Sequence, residues 1–244
     1  MPNFKLDISY DGTDFFGWQI QKNQRTVQGE ITNALEVIFK DSKINLIGSG
    51  RTDTGVHAKH QIANVEIDTN LETNNIKNAI NANTENDINV NNCQIVADEF
   101  HSRFSAIKRK YKYYIIKDTT PTKRYYSWVI EEDINIDLLN ECAQFILGTH
   151  DFSSFCKSSS LKENNKCTIL LSEWVFTEDE LQFSIVSNRF LHHMVRFLVG
   201  TMLEVSKNRI LFRDFENLFK NQKYDNMIVK APAKGLFLNN VYYK

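Results

Sequence analysis

The segment that organises this sequence is GSGRTDTGVHA, residues 48–58. Apolar residues at 44–47 and at 63–67 predict two strands, which this glycine-rich loop joins. Further upstream, residues 4–10 alternate between apolar and polar side chains, which is the period of a half-buried strand. The loop also carries an arginine, an aspartate and a histidine, so it is the first place to look for chemistry as well as for the fold.

Helices and strands alternate along the rest of the chain. Thr26 can cap a helix whose apolar face runs through residues 27–39, and the asparagine-rich stretch 70–92 is predicted to hold a short helix between polar loops. Several strands keep one polar face, which favours an α+β fold, with helices on one face of a mostly antiparallel sheet, over a doubly wound parallel sheet. The other predicted elements are a strand at 111–116, a helix at 136–147, strands near 170–176 and 182–186, an apolar helix at 190–205 and a closing strand at 235–243.

Composition places the chain among ordinary globular proteins. Its 244 residues are 42% hydrophobic and 24% charged, with a formal net charge of −1. A net charge near zero argues against a polyanion-binding protein, but the charges are unevenly distributed along the chain. Residues 101–126 hold eight lysines or arginines, one acid and five tyrosines, whereas residues 127–180 hold eleven acids and three lysines. The basic, tyrosine-rich run suits phosphate contact combined with base stacking; an ordinary solvated face is the alternative.

No targeting or membrane segment is predicted. The N-terminus lacks the charged-then-apolar pattern of a signal peptide, and the apolar stretch 190–205 is interrupted by His192, His193, Arg196 and Glu204. The four cysteines form no CxxC pair, so we expect reduced, packed thiols in a cytoplasmic protein and neither a disulfide nor a metal site. Adjacent histidines on a helix point about 100° apart and cannot chelate one ion together.

The glycines of the 48–58 loop suggest a phosphate-binding loop, but their spacing excludes it. A dinucleotide-binding GxGxxG requires glycine where the chain has Asp53, and a P-loop requires Lys and Ser or Thr where it has Val56 and His57. No nucleotide cofactor is therefore expected. What remains is a carboxylate in a tight turn, with Arg51 near enough to keep it ionised, as a nucleophilic carboxylate requires. On chemistry alone, a plain surface turn with a salt bridge is the alternative.

Further distinctive blocks accompany GRTDTGVHA at 50–58. They are YDGTDFFGWQ at 10–19, RTVQ at 25–28, FHSRFSA at 100–106 with RKYKY at 109–113, GTHDF at 148–152, FLHHMVR at 190–196 and APAKGL at 231–236. In this order, and over nearly the whole chain, the blocks closely resemble the tRNA pseudouridine synthase A (TruA) family.

The resemblance implies an enzyme that isomerises uridine to pseudouridine at positions 38, 39 and/or 40 of the tRNA anticodon stem-loop, without a cofactor. It also implies two similar α+β halves, which we place at 1–104 and 105–244, whose sheets join into one sheet with a central basic cleft. The family acts as a homodimer, so tRNA and a second copy of the chain are the expected partners. A non-catalytic tRNA-binding or chaperone module on the same fold is the alternative.

The same resemblance assigns the candidate site residues. Asp53 falls on the family's catalytic aspartate, Tyr111 on its active-site tyrosine and Arg51 on the arginine that accompanies the aspartate. We expect Tyr111 to stack on an extruded uridine. Further substrate-binding candidates are Leu236 at the base, and Arg109, Lys110 and Arg196 at phosphates; for Arg196 a buried carboxylate is the alternative partner. His57 is predicted to hold the loop's geometry more than to act as a general base.

Two departures from the family pattern fall outside the loop. The usual Asn-x-x-Leu-Pro is here NANTE at 81–85, without the Leu-Pro, and Cys167 stands where many members have arginine. Both changes leave the 48–58 loop intact, and both are expected to act on the grip on tRNA or on the choice of uridine.

Overall fold

The helices and strands form where apolar side chains recur with the matching period. The computed structural model describes residues 1–40, 43–177, 180–221 and 226–244. Its strands are β1 Asn3–Tyr10, β2 Ile47–Gly48, β3 His57–Glu66, β4 Ile88–Val96, β5 Lys108–Ile116, β6 Trp128–Val129, β7 Gly148–Asp151, β8 Lys166–Thr177, β9 Glu180–Ser187 and β10 Leu236–Tyr242. Its α-helices are α1 Val27–Ile38, α2 Thr73–Ala82, α3 Ile136–Phe145, α4 Met194–Ser206 and α5 Phe212–Asn221. The predicted α+β class is confirmed.

Internal contacts divide the chain into two compact units. The first contains residues 1–107 and 237–244, and the second contains residues 108–236. The division at 104 and 105 stays a prediction; by contacts, the closing strand is counted with the first unit because β10 pairs with β3. Of the acidic stretch, Glu178 and Asp179 lie outside the described residues.

In the first unit, the strand order is β4-β1-β3-β10. Strand β1 is antiparallel to both β3 and β4, the short β2 is antiparallel to β3, and β10 runs parallel to β3 with Phe237 opposite His57. Helix α1 begins as predicted, since the Thr26 hydroxyl accepts a hydrogen bond from the Gly29 N–H at 3.3 Å. This helix buries Val27, Ile31, Ala34 and Leu35, so the predicted apolar face is confirmed.

A buried polar network fixes the segment after β4 to this sheet. The Asn3 amide donates to the carbonyl oxygens of Ala97 and Phe100, at 3.2 and 2.9 Å. Asn64 donates to the Asn3 side-chain oxygen at 3.1 Å and accepts from the Ser102 N–H at 2.9 Å. Since Asn3, Asn64 and Ser102 are each at most 4% exposed, these bonds satisfy groups that water cannot reach.

In the second unit, the strand order is β5-β9-β8-β7, with antiparallel neighbours throughout and β6 parallel to β5. Helix α4 is buried along almost its whole length, which confirms the prediction of a buried apolar helix. Helix α5 was not predicted from the sequence, although Phe215, Leu218 and Phe219 recur at helical spacing and are buried. Its phenylalanines pack edge-on against Phe145 of α3.

Several predicted boundaries were wrong. Only Ile47 and Gly48 form a strand before the loop, and β3 begins at His57, inside the segment predicted as loop. Helix α3 ends at Phe145, where a turn leads to Gly148 at φ +90°. Helix α4 begins at Met194, so His192 and His193 precede the helix and the argument from helical spacing does not apply to them.

The NANTE segment is held by local hydrogen bonds to the backbone. The Asn81 side chain donates to the Val90 carbonyl at 3.0 Å and accepts from the Val90 N–H at 2.7 Å. The Thr84 hydroxyl donates to the Ile80 carbonyl at 3.2 Å at the end of α2. The other departure, Cys167, is buried in β8. Among the described residues, no helix has the length and apolar character needed to cross a membrane.

Asn64→Ala is expected to lower the free energy of unfolding by about 1–3 kcal/mol, because Asn3 and Ser102 would each lose a buried hydrogen-bond partner. Urea denaturation measures this change. Asn92→Ala, at an exposed position of β4, is the matched control and should change stability by less than about 0.5 kcal/mol. Equal effects of the two substitutions would contradict the role of the network.

Candidate active site

Asp53 lies at the first position of a tight turn. The Val56 N–H donates to the Asp53 carbonyl at 3.1 Å, and Gly55 at the third position has φ +76°. A positive φ there is what a type II turn requires, and glycine adopts it without strain. The Asp53 side chain is half-buried, whereas its neighbour Thr52 is only 7% exposed. The turn therefore holds a partly accessible carboxylate on a fixed backbone.

The N-terminal block 10–19 holds this turn in place. The Trp18 N–H donates to the Thr52 carbonyl at 3.1 Å, and the Gly55 N–H donates to the Phe15 carbonyl at 3.3 Å. The hydroxyl groups of Tyr10 and Thr52 share a buried hydrogen bond of 2.8 Å. These bonds lie on both sides of Asp53 in the chain, so the backbone cannot shift there without breaking one of them.

Two glycines of the block allow this close approach. A Cβ on Gly12 would lie 2.1 Å from the Val56 carbonyl oxygen, and one on Gly17 would lie 2.5 Å from that of Thr52. Gly17 also has φ +84°, which disfavours any other residue. The glycines of YDG and FGW are therefore required because the backbone of this block packs directly against the backbone of residues 52–56.

His57 holds the loop at its far end. The ring is 1% exposed and stacks on Phe237 at 4.5 Å. Its Nδ1 accepts from the Gly12 N–H at 3.0 Å and lies 3.1 Å from a carboxylate oxygen of Asp11. A buried ring with its Nδ1 engaged in this way fits the predicted positioning role.

Gln61 is a supporting residue that sequence reasoning missed. Its side-chain oxygen accepts from the Ser49 hydroxyl at 2.6 Å, and its amide donates to the Gly50 carbonyl at 2.9 Å. It is fully buried in β3, so it fixes the residues just before Arg51 and Asp53. A lone glutamine inside an apolar strand, in the run HQIANV, was the available signal.

Arg51 lies two residues before Asp53, on the other side of the buried Thr52. Its side chain is exposed. The expected charge pairing between Arg51 and Asp53 stays a prediction. A substrate-contacting role for Arg51 stays a prediction.

In the second unit, Tyr111 lies on β5 against the segment that precedes α4. Its ring meets Phe190 edge-on, with centroids 5.0 Å apart. Arg109, two residues earlier on the same face of the strand, donates to the Asn188 carbonyl at 3.1 Å. Lys110 lies on the opposite face because side chains alternate along a strand, so the structure does not place it beside Tyr111.

Arg196 and Tyr113 both bind the segment that precedes Leu236. The Tyr113 hydroxyl donates to the Pro232 carbonyl at 2.8 Å, and the Arg196 Nε donates to the Ala231 carbonyl at 2.8 Å. Burial raises the pKa of Tyr113 despite the nearby Arg196 guanidinium, so the phenol stays a neutral donor. These two bonds fix the segment that leads to Leu236, which is 5% exposed.

The cysteines do not offer an alternative nucleophile. All four are buried. Burial raises the pKa of Cys93 and Cys167 to about 11 and that of Cys142 to about 12, and it also raises the pKa of Cys156. Since the thiolate is the reactive form, these thiols are inert near neutral pH.

Comparison with known proteins agrees with this architecture. A family model described as tRNA pseudouridine synthase matches residues 8–105 and 142–244. The chain is 37% identical over 242 residues to a Bacillus licheniformis protein, with 98% of each chain covered. It is 37% identical over 245 residues to a Thermoanaerobacter sp. (strain X514) protein and 38% identical over 247 residues to one from Dictyoglomus thermophilum, with full coverage of both. All three are named tRNA pseudouridine synthase A.

The fold and these matches define an isomerase of the pseudouridine synthase class. Within that class, the chain belongs to the tRNA pseudouridine synthase A (TruA) family. The family model leaves out residues 106–141, which include β5 and therefore Tyr111. The individual site residues stay predictions.

Gly12→Ala is expected to lower the free energy of unfolding by about 1–3 kcal/mol, because its Cβ would overlap the Val56 backbone. Thermal or urea unfolding measures the effect. Gly50→Ala is the matched control within the same loop: no atom lies within 4 Å of its Cβ, so stability should be unchanged or slightly higher. Tolerance of alanine at Gly12 would show that the two backbones are not held together.

Native protein at pH 8 is expected to react only slowly with N-ethylmaleimide, because raised pKa values leave little thiolate at that pH. Mass spectrometry should find all four thiols labelled once urea has unfolded the chain. Isomerase activity after native incubation should equal that of untreated protein. Rapid native labelling with loss of activity would instead place a thiol in the reaction.

Proposed function

We propose that this enzyme converts uridine to pseudouridine at positions 38, 39 and/or 40 of the tRNA anticodon stem-loop, with Asp53 as its catalytic carboxylate. The observation that carries the proposal is the Asp53 turn, whose backbone is bonded to Phe15 and Trp18 on both sides of the carboxylate. A catalytic group whose backbone is fixed in this way needs little rearrangement when the substrate binds.

The reaction requires detaching uracil from the ribose, turning it and rejoining it through C5. A carboxylate can begin this in two ways. It can attack C1′, so that a C1′–O bond forms as the C1′–N1 bond breaks, or it can take the C2′ proton, so that the electron pair forms a glycal as uracil leaves. In the first route the C1′–O bond breaks as C5 bonds to C1′; in the second, C5 bonds to C1′ as C2′ takes its proton back. In both routes the C5 proton is then lost and N1 ends with a proton. The base must leave its stack before this can happen.

The residues of the second unit fit the handling of the extruded base. Tyr111, half-buried and backed edge-on by Phe190, offers a ring face for stacking on uracil, and Leu236 offers an apolar contact. Arg109 and Arg196, whose guanidinium groups each donate to a backbone carbonyl, are proposed to contact phosphates of the substrate. Arg51 and Lys110 are proposed as further phosphate contacts.

The remaining assignments follow the family. We propose that the enzyme needs no cofactor, acts in the cytoplasm, and works as a homodimer on tRNA. The non-catalytic RNA-binding alternative is not favoured, because relatives that match the chain over its full length bear the name of the synthase.

Asp53→Asn is expected to lower the single-turnover rate of pseudouridine formation on the order of 10⁴-fold or more, because the amide cannot act as nucleophile or base. The assay is base-resolved mapping of pseudouridine in unmodified tRNA, with stem-loop affinity measured in parallel. Affinity should stay close to that of the wild type.

Asp14→Asn is the matched control, since Asp14 is an exposed carboxylate in the neighbouring block 10–19. It should convert uridine at the wild-type rate. Normal conversion by the Asp53 variant would remove Asp53 from the mechanism, and a wild-type protein that converts no uridine would contradict the proposed function itself.

A further inference from the structure

Phe104 carries a large apolar ring that the structure leaves in solvent. It is 77% exposed, more than any other large apolar side chain in the described ranges. Its neighbours along the chain are the polar residues Arg103 and Ser105. Burying a ring of this size against a ligand would be favourable.

The turn that presents Phe104 is rigid. The His101 Nδ1 accepts hydrogen bonds from the N–H groups of both Arg103 and Phe104, at 3.1 and 3.3 Å. His101 and Ser105 are joined by two further bonds, of 3.1 and 2.9 Å. The His101 ring also supports the Phe104 ring, with centroids 4.3 Å apart. The ring is therefore held outward by its own turn.

Ser102 anchors this turn to the sheet of the first unit. It is fully buried, its hydroxyl donates to the Ile47 carbonyl at 2.5 Å and its N–H donates to Asn64 at 2.9 Å. Its carbonyl accepts from the Tyr243 hydroxyl at 2.6 Å. With every polar group of Ser102 engaged, the turn cannot fold inward to cover Phe104.

Two cationic side chains lie near aromatic rings in and beside this turn. The Arg103 guanidinium lies 5.6 Å from the centre of the Phe104 ring. The Lys5 ammonium lies 5.8 and 5.3 Å from the rings of Phe100 and Tyr243. A flat apolar surface with positive charge beside it matches a nucleobase with its phosphate. One ring is too small for a stable protein interface, which buries roughly 800 Å² on each partner.

We propose that Phe104 is a stacking platform for an unpaired nucleobase of the substrate RNA, with Arg103 at the adjoining phosphate. This rests on the proposed function and adds to it an RNA contact outside the Asp53 turn and the Tyr111 neighbourhood. The acids Asp98 and Glu99 precede the turn, so its attraction for RNA depends on stacking more than on net charge. Stacking is tolerant of base identity, so the contact orients the stem-loop without choosing its sequence.

Phe104→Ala is expected to weaken binding of an anticodon stem-loop RNA about 5- to 150-fold, the range for loss of one base–aromatic stack. Phe104→Trp should restore affinity, because its ring stacks at least as well. Fluorescence anisotropy at fixed salt gives the dissociation constants. The matched control is Phe176→Ala, which removes a ring of similar exposure (65%) from β8 in the second unit and should bind RNA like the wild type.

Salt separates the two components of the contact. The loss caused by Phe104→Ala should be the same factor at 50 and at 200 mM salt. Arg103→Ala should instead reduce the slope of log affinity against log salt by about 0.7–0.9, as expected for one phosphate contact. A loss at Phe104 that disappears at high salt would overturn the stacking assignment.

Three outcomes would overturn the proposal while leaving the enzyme's function untouched. They are wild-type affinity in Phe104→Ala, failure of tryptophan to restore it, and a halved molecular mass of the alanine variant by light scattering, which would assign the ring to a contact between copies. Melting temperatures should match the wild type, because the ring is exposed. Failure of the proposed function is recognised separately, as absence of uridine conversion by the wild type.

Discussion

The geometry of the Asp53 turn depends on one constraint: the backbone of residues 12–18 packs directly against the backbone of residues 52–57. Side chains cannot intervene there, because Gly12 and Gly17 leave no room for a Cβ. The hydrogen bonds from Trp18 to Thr52 and from Gly55 to Phe15 follow from this contact. The carboxylate is thereby presented by a frame of buried backbone and not by a loose surface loop.

Other blocks of the first unit support this backbone contact. The RTVQ block fixes the segment from its other side: the Arg25 guanidinium binds both oxygens of Asp87 and lies 4.2 Å from the centre of the Phe15 ring. Gln28 accepts hydrogen bonds from Gln19 and Ile20 and donates to the Leu46 carbonyl. Blocks that stand apart in the sequence are therefore successive supports of a single turn.

Sequence alone predicted those features that arise from local periodicity. The structure contains the predicted strand over residues 4–10, the Thr26 cap, the aromatic strand around Tyr111 and a buried helix that includes Val205. Phosphate-loop chemistry could be excluded because spacing decides it, and the blocks led to the family. The position of Asp53 in a tight turn also followed from its glycines.

The features that the sequence did not predict depend on contacts between residues far apart in the chain. The boundary at Met194 is set where His193 adopts φ +66° ahead of the helix, which no apolar period reveals. The burial of Thr52, between Arg51 and Asp53, comes from its hydrogen bonds to Tyr10 and Trp18, which the local sequence does not reveal. The role of Gln61 was missed because it depends on hydrogen bonds to Ser49 and Gly50, which the sequence around Gln61 does not reveal.

The most direct measurement is the single-turnover rate of Gly17→Ala, determined together with its affinity for stem-loop RNA and its melting temperature. A Cβ at residue 17 would press on the Thr52 carbonyl and lie 3.1 Å from the Asp53 carbonyl carbon, while leaving every charged group in place. If the backbone contact positions the catalytic carboxylate, the folded variant converts uridine at least about tenfold more slowly with nearly unchanged affinity. A folded variant with the wild-type rate would contradict the account.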